Sequence, residues 1–544
     1  MKKPWIVAGV VVAALIVAVY LFVSQPDGAE PSEIAEILEG PYVRSSGPET
    51  FSYPELRELF DNDISPPLAA KLETLLTTPF LSNEAYYGGT RPHQPVVGRI
   101  GKSLRLVAWN IERGLELDDI KLMFTSPTGF QQRVQRGGQQ VDKRILEEEL
   151  AVLRSADVIV LNEADWGLKR TDYRNVTREL AEALDMNWAY GVEFVEVDPI
   201  TLGTEEFGWI KDAGERRKWV QQVQADQSRL LALHGTAVLS RYPILETQLV
   251  PFKFQGYDWF NEEKQRLSEI EKGKRRLAEV LFQETMNREI RRGGRTTLLV
   301  TLEVPELPEG RVTIAAAHLE SRTKPESRRR QMDELLGTLK DVSHPVLLAG
   351  DLNTTLSDQR PTNIKREVYR RIGSKEFWAN TGIKYATGVG ALYDGVRGGI
   401  NFFKNQQDPT AKHVPLLAPN PEAKLFVNME EVQFADGLRF DFRGDTVRTT
   451  NGTEGTLANS NQRDNKGFAA TFEVDRTLGP IGKYKLDWIF VKSYLSNPRD
   501  GSGSYRFAPH FARSMEAVNY ALEAPLSDHT PVSVDLPFAE PAGL

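Results

Sequence analysis

The sequence predicts an α/β fold, on three observations. Short continuous apolar runs recur, of which Val346-Leu347-Leu348-Ala349 is the clearest; this is the pattern of a strand buried on both faces. Segments with apolar residues at helical spacing stand between such runs, at about 139–154, 173–184 and 325–339. Acids, amides and histidines also gather at the ends of the strand-like runs.

At 544 residues the chain has room for two to four domains, or for one large domain with insertions. A net charge of -8 spread over that length leaves no basic footprint for broad nucleic-acid binding. The absence of cysteine excludes a disulfide framework, a thiolate metal site and a cysteine nucleophile.

Lys2 and Lys3 precede an uncharged stretch, Trp5 to Val23. As a helix rising about 1.5 Å per residue it approaches the thickness of a bilayer core. No A-x-A-like site follows, so an uncleaved transmembrane anchor over 1–24 is expected ahead of a cleaved signal or a buried helix. The flanking lysines place the N-terminus in the cytoplasm and the bulk of the chain outside it, in the periplasm or extracellular space.

Residues 25–100 are rich in Pro, Gly, Ser and acids and read as a stalk with a small helical lead-in. From 101 to 537 strands and helices alternate. Leu104 to Asn110 reads as a strand ending in Asn110-Ile111-Glu112, and Val158 to Leu161 as one running into Asn162-Glu163. Asn187 to Val197 and His234 to Pro243, the latter closed by a Pro turn, read as two more. Phe260 to Arg292, charged and studded with leucine, predicts one long helix or two with a solvated face. Thr296 to Val304 and Arg311 to Ala317 read as neighbouring strands, the second delivering His318. Val346 to Ala349 delivers Asp351 and Asn353, with Gly350 freeing the turn. Leu486 to Val491 carries Asp487, and Asp528-His529 precedes the strand ending at Leu536. Two insertions, about 250–295 and 355–480, interrupt the pattern; the second is too long for a simple loop and is expected to cover one rim of a site.

Each polar residue alone has an ordinary explanation. Asp351 and Asn353 are common turn residues, Glu163 suits a helix cap and Asp487 a surface ion pair. Together they supply carboxylates, amides and two of seven histidines. Oxygen-rich ligands without thiols favour Mg²⁺ or Mn²⁺ over zinc.

The series W-N-I-E-R-G, V-L-N-E, A-H-L, G-D-L-N, L-D-W-I-F and S-D-H, in that order over about 104–537, resembles the endonuclease/exonuclease/phosphatase superfamily, whose members include deoxyribonuclease-I-like proteins. The resemblance implies a four-layer α/β sandwich of two packed mixed sheets flanked by helices. It implies Glu163 as the main metal carboxylate, with Asn110 beside it, Glu112 helping and Asp528 nearby. Asp351 would orient and deprotonate water, and Asn353 would hold the phosphate or that water. His529, partnered by Asp487, would hydrogen-bond the phosphate. His318 resembles the second histidine of deoxyribonuclease-I-like and sphingomyelinase-like members, a transition-state stabiliser or general acid, with Glu193 as an orienting partner. Tyr484-Lys485-Leu486-Asp487-Trp488 departs from the inositol polyphosphate phosphatase pattern, which carries a Pro and an Asp-Arg pair there.

The function expected is therefore a membrane-anchored, metal-dependent phosphodiesterase. Tethering leans to a lipid head group, as in a sphingomyelinase-like enzyme, and the superfamily at large leans to nucleic acid. The rival of a different class is a non-catalytic binding module on the same fold. No protein partner is inferable.

Overall fold

The computed structural model describes residues 40–137, 141–199, 201–204, 212–214, 217, 224–264, 289–354, 423–441, 471–473, 483–497 and 502–539. Two mixed sheets dominate. The larger has strand order Ser45–Ser46, Phe80–Ser82, Asn187–Glu196, Leu233–Ser240, Val158–Trp166, Gly101–Arg113, Val532–Pro537, His510–Ser514. The smaller runs Asp487–Lys492, Val346–Asp351, Arg311–His318, Thr296–Glu303, Ile244–Pro251. Each contains one parallel pair on its main path, Gly101–Arg113 with Val158–Trp166 and Arg311–His318 with Val346–Asp351.

Alternation along the strands builds the layers. Leu104, Leu106 and Ala108 point into a core shared with Leu298, Val300, Ile314, Leu347 and Ile489 of the facing sheet. Val107, Trp109 and Ile111 of the same strand point the other way, against Leu146, Leu150, Leu153 and Leu180 of two helices, Lys143–Arg154 and Val176–Leu184. On the far side, Leu348, Trp488 and Phe490 pack on Met332, Leu335 and Leu336 of helix Pro325–Leu339 and on Phe426 of helix Ala423–Glu431. Helices, sheet, sheet and helices make the four-layer α/β sandwich. This is why the central strands read as unbroken apolar runs: both their faces are covered.

Several boundaries move for local reasons. The helix expected from about 139 starts at Lys143 because Asp142 caps it, accepting from the N–H groups of Arg144 and Ile145. The helix expected from 173 starts at Val176, capped by Asn175. The long helix expected over Phe260 to Arg292 is met at its start, where Asn261–Lys264 is helical, and corrected at its far end, where Arg291–Gly293 is a strand paired with Asn187–Glu196; 265–288 lie outside the described residues. The stalk reading of 25–100 is corrected from Ser45 onward, because Ser45–Ser46 and Phe80–Ser82 extend the large sheet through Asn187–Glu196; the helical lead-in is present as helices Tyr53–Glu58 and Pro66–Thr77. Ser45–Leu544 forms one compact unit. Helices Leu117–Thr125 and Pro127–Gly137 and strand Ile244–Pro251 were not legible in the sequence. Among the described residues no helix is long and apolar enough to cross a membrane. Trp5 to Val23 and most of 355–480 lie outside those residues.

Gly350 is needed where it stands. Its φ is 137°, and a Cβ there would lie 2.1 Å from the Ala317 carbonyl oxygen and 2.8 Å from Asn162 Oδ1. Gly350→Ala is expected to destabilise the fold by about 3 kcal/mol or more. Gly137→Ala, with nothing within 4 Å of the added atom, should leave the melting temperature nearly unchanged. Thermal unfolding of the two variants checks this.

Candidate active site

The small sheet sets one row of the site by register. His318 stands opposite Asp351 on the neighbouring strand, and Asp351 opposite Asp487 on the next. Imidazole and carboxylates therefore line up across three adjacent strand ends.

The large sheet supplies the second row, through irregularity. Asn110 pairs with Asn162, and then the register shifts between Asn110 and Arg113, between Leu161 and Ala164, and between Val192 and Phe194. Glu112, Glu163 and Glu193 fall in those shifts. A bulge re-aims a side chain that strict alternation would send to the other face. Glu112, Glu163 and Asn353 hold positive φ values of 46°, 56° and 48°, backbone strain of the kind that concentrates at functional sites.

Hydrogen bonds join the rows. Asn110 Nδ2 donates to Asp351 Oδ2 at 3.2 Å. Asn162 Oδ1 accepts the Asp351 N–H at 2.9 Å, while its Nδ2 donates to the Ala317 carbonyl at 3.2 Å. Asp351 Oδ1 accepts the Asn353 N–H at 2.7 Å, and Asn353 Nδ2 reaches the Leu319 carbonyl at 3.0 Å. Asp351 thus sits at the centre, with His529 Nε2 at 3.8 Å and His318 Nε2 at 3.7 Å from its Oδ2. Burial, with the Asp487 charge, raises its pKa against the pull of His529.

His529 is held on three sides. Nδ1 lies 2.8 Å from Asp487 Oδ2, the ring packs on Phe472 at 4.9 Å, and the backbone N–H donates to Ser527 Oγ at 3.0 Å. Ser527 Oγ in turn donates to the Asn110 carbonyl at 2.7 Å. Burial opposes the imidazolium, but Asp487, Asp528 and Asp351 overcome it and hold the His529 pKa well above the ordinary histidine value.

Glu112, Glu163 and Asp528 form the acidic side. The Asp528 N–H donates to Glu112 Oε2 at 3.0 Å. Burial and the charges of Asp528 and Glu163 push Glu112 up to about 8. Burial also pushes Asp528 up, to about 6, with Glu163 and Asp351 adding to it and His529 opposing. Burial works against Glu163 too, but the positive charge around it, that of Arg113 and Arg295 included, outweighs it and keeps its pKa below the ordinary glutamate value. Glu163 keeps 27 % of its side chain accessible. Among the described residues no Lys or Arg ion-pairs with these three carboxylates. Acids coupled through their charges and without a Lys or Arg partner, together with the Asn110 amide, offer hard-oxygen donors of the kind that suit a divalent cation.

Asp351, Asp487 and His529 are the group of acidic and histidine side chains, among the described residues, whose ligand atoms lie within 4.8 Å of one another. That trio is a poorer cation site, because Asp487 is already hydrogen-bonded to a histidine that favours its charged form.

All nine residues expected to act, Asn110, Glu112, Glu163, His318, Asp351, Asn353, Asp487, Asp528 and His529, meet at this end of the two sheets. Glu193 lies 3.4 Å from His318 Nδ1, with Arg295 bonded to both. Two supporting residues were missed. Asn162 had a signal, an amide ending an apolar strand one residue before Glu163. Arg295, in a run of arginines and glycines, had none.

The family model of the Endonuclease/Exonuclease/phosphatase family matches residues 107–529, well over half of the chain. Comparison with curated proteins finds no match. Similar solved structures include an endonuclease/exonuclease/phosphatase from Beutenbergia cavernae, at 14 % identity over 80 % of this chain and 71 % of that one, with a TM-score of 0.32. A family protein from Leptotrichia buccalis shows 12 % identity over 80 % and 99 %, with a TM-score of 0.32. A 3'-5' exonuclease from Neisseria meningitidis shows 10 % over 80 % and 99 %, with a TM-score of 0.34. The matched span contains every acid, amide and histidine assembled above, and the chain belongs to the endonuclease/exonuclease/phosphatase family as a metal-dependent phosphoric ester hydrolase.

Proposed function

We propose that the protein is a phosphodiesterase that cleaves a P–O ester bond by in-line attack of water, with Mg²⁺ or Mn²⁺ as its cation. The observation that carries this reading is the central place of Asp351, between an amide pair, two imidazoles and the acidic side. Glu163, Asn110, Glu112 and Asp528 would hold the cation, which when bound neutralises a phosphate oxygen and stabilises charge on the leaving group. Asp351 orients the attacking water and takes its proton; burial raises its pKa, which strengthens it as a base. Asn353 holds the phosphate or that water. His529, kept cationic by Asp487, donates from Nε2 to a phosphate oxygen. His318 faces the same phosphate. A binding module without catalysis is disfavoured, because it has no use for so many buried charges around one carboxylate.

In this reading Trp5 to Val23 anchors the chain in a membrane with the catalytic domain outside the cytoplasm. The substrate is a phosphoester of a lipid head group or of nucleic acid. Tethering supports the first, and the breadth of the family supports the second. The full-length protein, assayed with Mg²⁺ or EDTA on bis-p-nitrophenyl phosphate, plasmid DNA and sphingomyelin, is expected to release product only with the metal, and the substrate cleaved fastest identifies the class. No turnover of any of the three would favour the binding module. Full-length protein is also expected to sediment with membranes until detergent is added; detergent-free solubility would contradict the anchor.

The pKa shifts fix a sign for metal binding. Glu112 rises from an ordinary 4.5 to about 8, and Asp528 from 3.8 to about 6. The folded protein without metal therefore holds these protons more tightly than the unfolded chain. Their contribution to stability falls as pH rises from about 4 through 8. A cation replaces the protons, so the difference in melting temperature between Mg²⁺ and EDTA is expected to grow from pH 5 to pH 8. A difference that stays flat would place the cation elsewhere.

A further inference from the structure

We infer that Arg295 is a positioning residue that fixes His318 as a hydrogen-bond donor through Nε2–H, so that His318 stabilises charge on the reacting phosphate and does not protonate the leaving group. This deepens the phosphodiesterase reading and rests on it for the identity of the group that His318 meets.

The argument is one of donors and acceptors. Arg295 is buried, and its Nη1 lies 2.7 Å from Glu193 Oε2 and 2.6 Å from His318 Nδ1. A guanidinium only donates, so its two Nη1 hydrogens serve the carboxylate and the imidazole, and Nδ1 must offer its lone pair. An imidazole accepting at Nδ1 carries its hydrogen on Nε2. Glu193 stands 3.4 Å from Nδ1, farther than the 2.7 Å of its bond to Arg295.

His318 Nε2 is buried and has no hydrogen-bond partner among the described residues. It lies 3.9 Å from Glu163 Oε1 and 3.7 Å from Asp351 Oδ2, too far to bond either. An unspent N–H held between the acidic side and the central carboxylate is placed to meet an oxygen that enters there. Giving that proton up would leave an imidazolate, so the group binds charge and keeps its hydrogen.

Arg295 has little freedom to turn away. Its guanidinium lies over the Phe194 ring at 5.2 Å, its Nε is 3.6 Å from Glu320 Oε2, and its backbone N–H donates to Gln255 Oε1 at 2.6 Å. Glu320 is itself held by the Trp259 indole at 2.8 Å and the Arg322 N–H at 2.9 Å. Glu193 also accepts the Thr236 hydroxyl, and Thr236 Oγ1 accepts from Asn162, whose amide oxygen holds the Asp351 backbone. One chain of bonds thus fixes the tautomer of His318 and the place of Asp351.

Long-range ¹H–¹⁵N spectra of the full-length protein labelled with ¹⁵N-histidine test this, with the His318 signals identified by their loss in His318→Gln. The expected result is an unprotonated Nδ1 and a protonated Nε2 in the wild type and in Arg295→Lys, since lysine also only donates. Arg295→Met frees Nδ1 to take the hydrogen and bond Glu193, and its spectrum should show Nδ1–H. With that change kcat should fall about 100- to 1,000-fold with little change in KM, as for loss of one preorganised donor to transition-state charge. A wild-type Nδ1 that carries a proton overturns the inference, as does an Nε2–H tautomer that persists in a folded Arg295→Met. Should Arg295→Met fail to fold, the wild-type and Arg295→Lys spectra decide. The spectra read protonation without turnover, so an absence of phosphodiesterase activity would sink the functional reading and leave the tautomer result standing separately.

Discussion

Asp351→Ala is expected to lower kcat for a phosphodiester about 100- to 10,000-fold, the range for loss of a positioned general base. Three donors converge on this side chain: the Asn353 N–H and the side-chain amides of Asn353 and Asn110. Truncation removes the base and also the acceptor that keeps both amides in place, so the loss should fall mainly on kcat. The stability cost should be modest, because burying the carboxylate is itself unfavourable, as its raised pKa records. A melting temperature close to wild type with activity nearly gone would assign the effect to chemistry. Activity within a few-fold of wild type would remove Asp351 from the base role.

Glu163→Gln should have an effect of similar size on a different quantity. The substitution keeps the length and shape of the side chain, so the bulge at φ 56° has no new steric demand. What changes is charge. Glu163 is the member of the acidic side that surrounding positive groups, Arg113 and Arg295 among them, hold ionised, while burial and repulsion push Glu112 and Asp528 up. It is therefore the carboxylate ready to take a cation across the ordinary pH range. The Mg²⁺ concentration for half-maximal activity is expected to rise at least about 100-fold, the upper end for losing a mere supporting partner of a metal ligand. Titration of activity and of melting temperature with Mg²⁺ measures it. An unchanged metal requirement would exclude Glu163 as a ligand.

How far the sequence could be read depended on whether a feature lies in a run or in a register. The strands Val158–Trp166 and Val346–Asp351 announce themselves because both faces are buried, and the residues that follow them inherit their position. That is enough to nominate Asp351 and Asn353. The sequence does not reveal the three register shifts that turn Glu112, Glu163 and Glu193 inward, since a bulge adds one residue and leaves composition unchanged. Nor does it reveal Arg295, a charged residue between two glycines and a strand, whose burial is decided by Glu193 and Glu320 arriving from elsewhere in the fold. The helix misread through Arg292 failed for a related reason: Arg291 is buried against the aromatic rings of Phe194 and Trp259 and pairs with Glu196, partners far away in sequence. Asn162, by contrast, was visible at a strand end and overlooked beside a more reactive neighbour.

The central claim is that residues from the ends of both sheets converge on one divalent cation. Locating Mn²⁺ by anomalous diffraction from crystals of the protein tests it most directly. The account predicts one ion at about 2.0–2.3 Å from a Glu163 carboxylate oxygen, in the distance range for oxygen ligands to small hard cations, with Asn110 and the Glu112–Asp528 side around it. An ion bound to Asp487 and His529, with Glu163 left unligated, would contradict it.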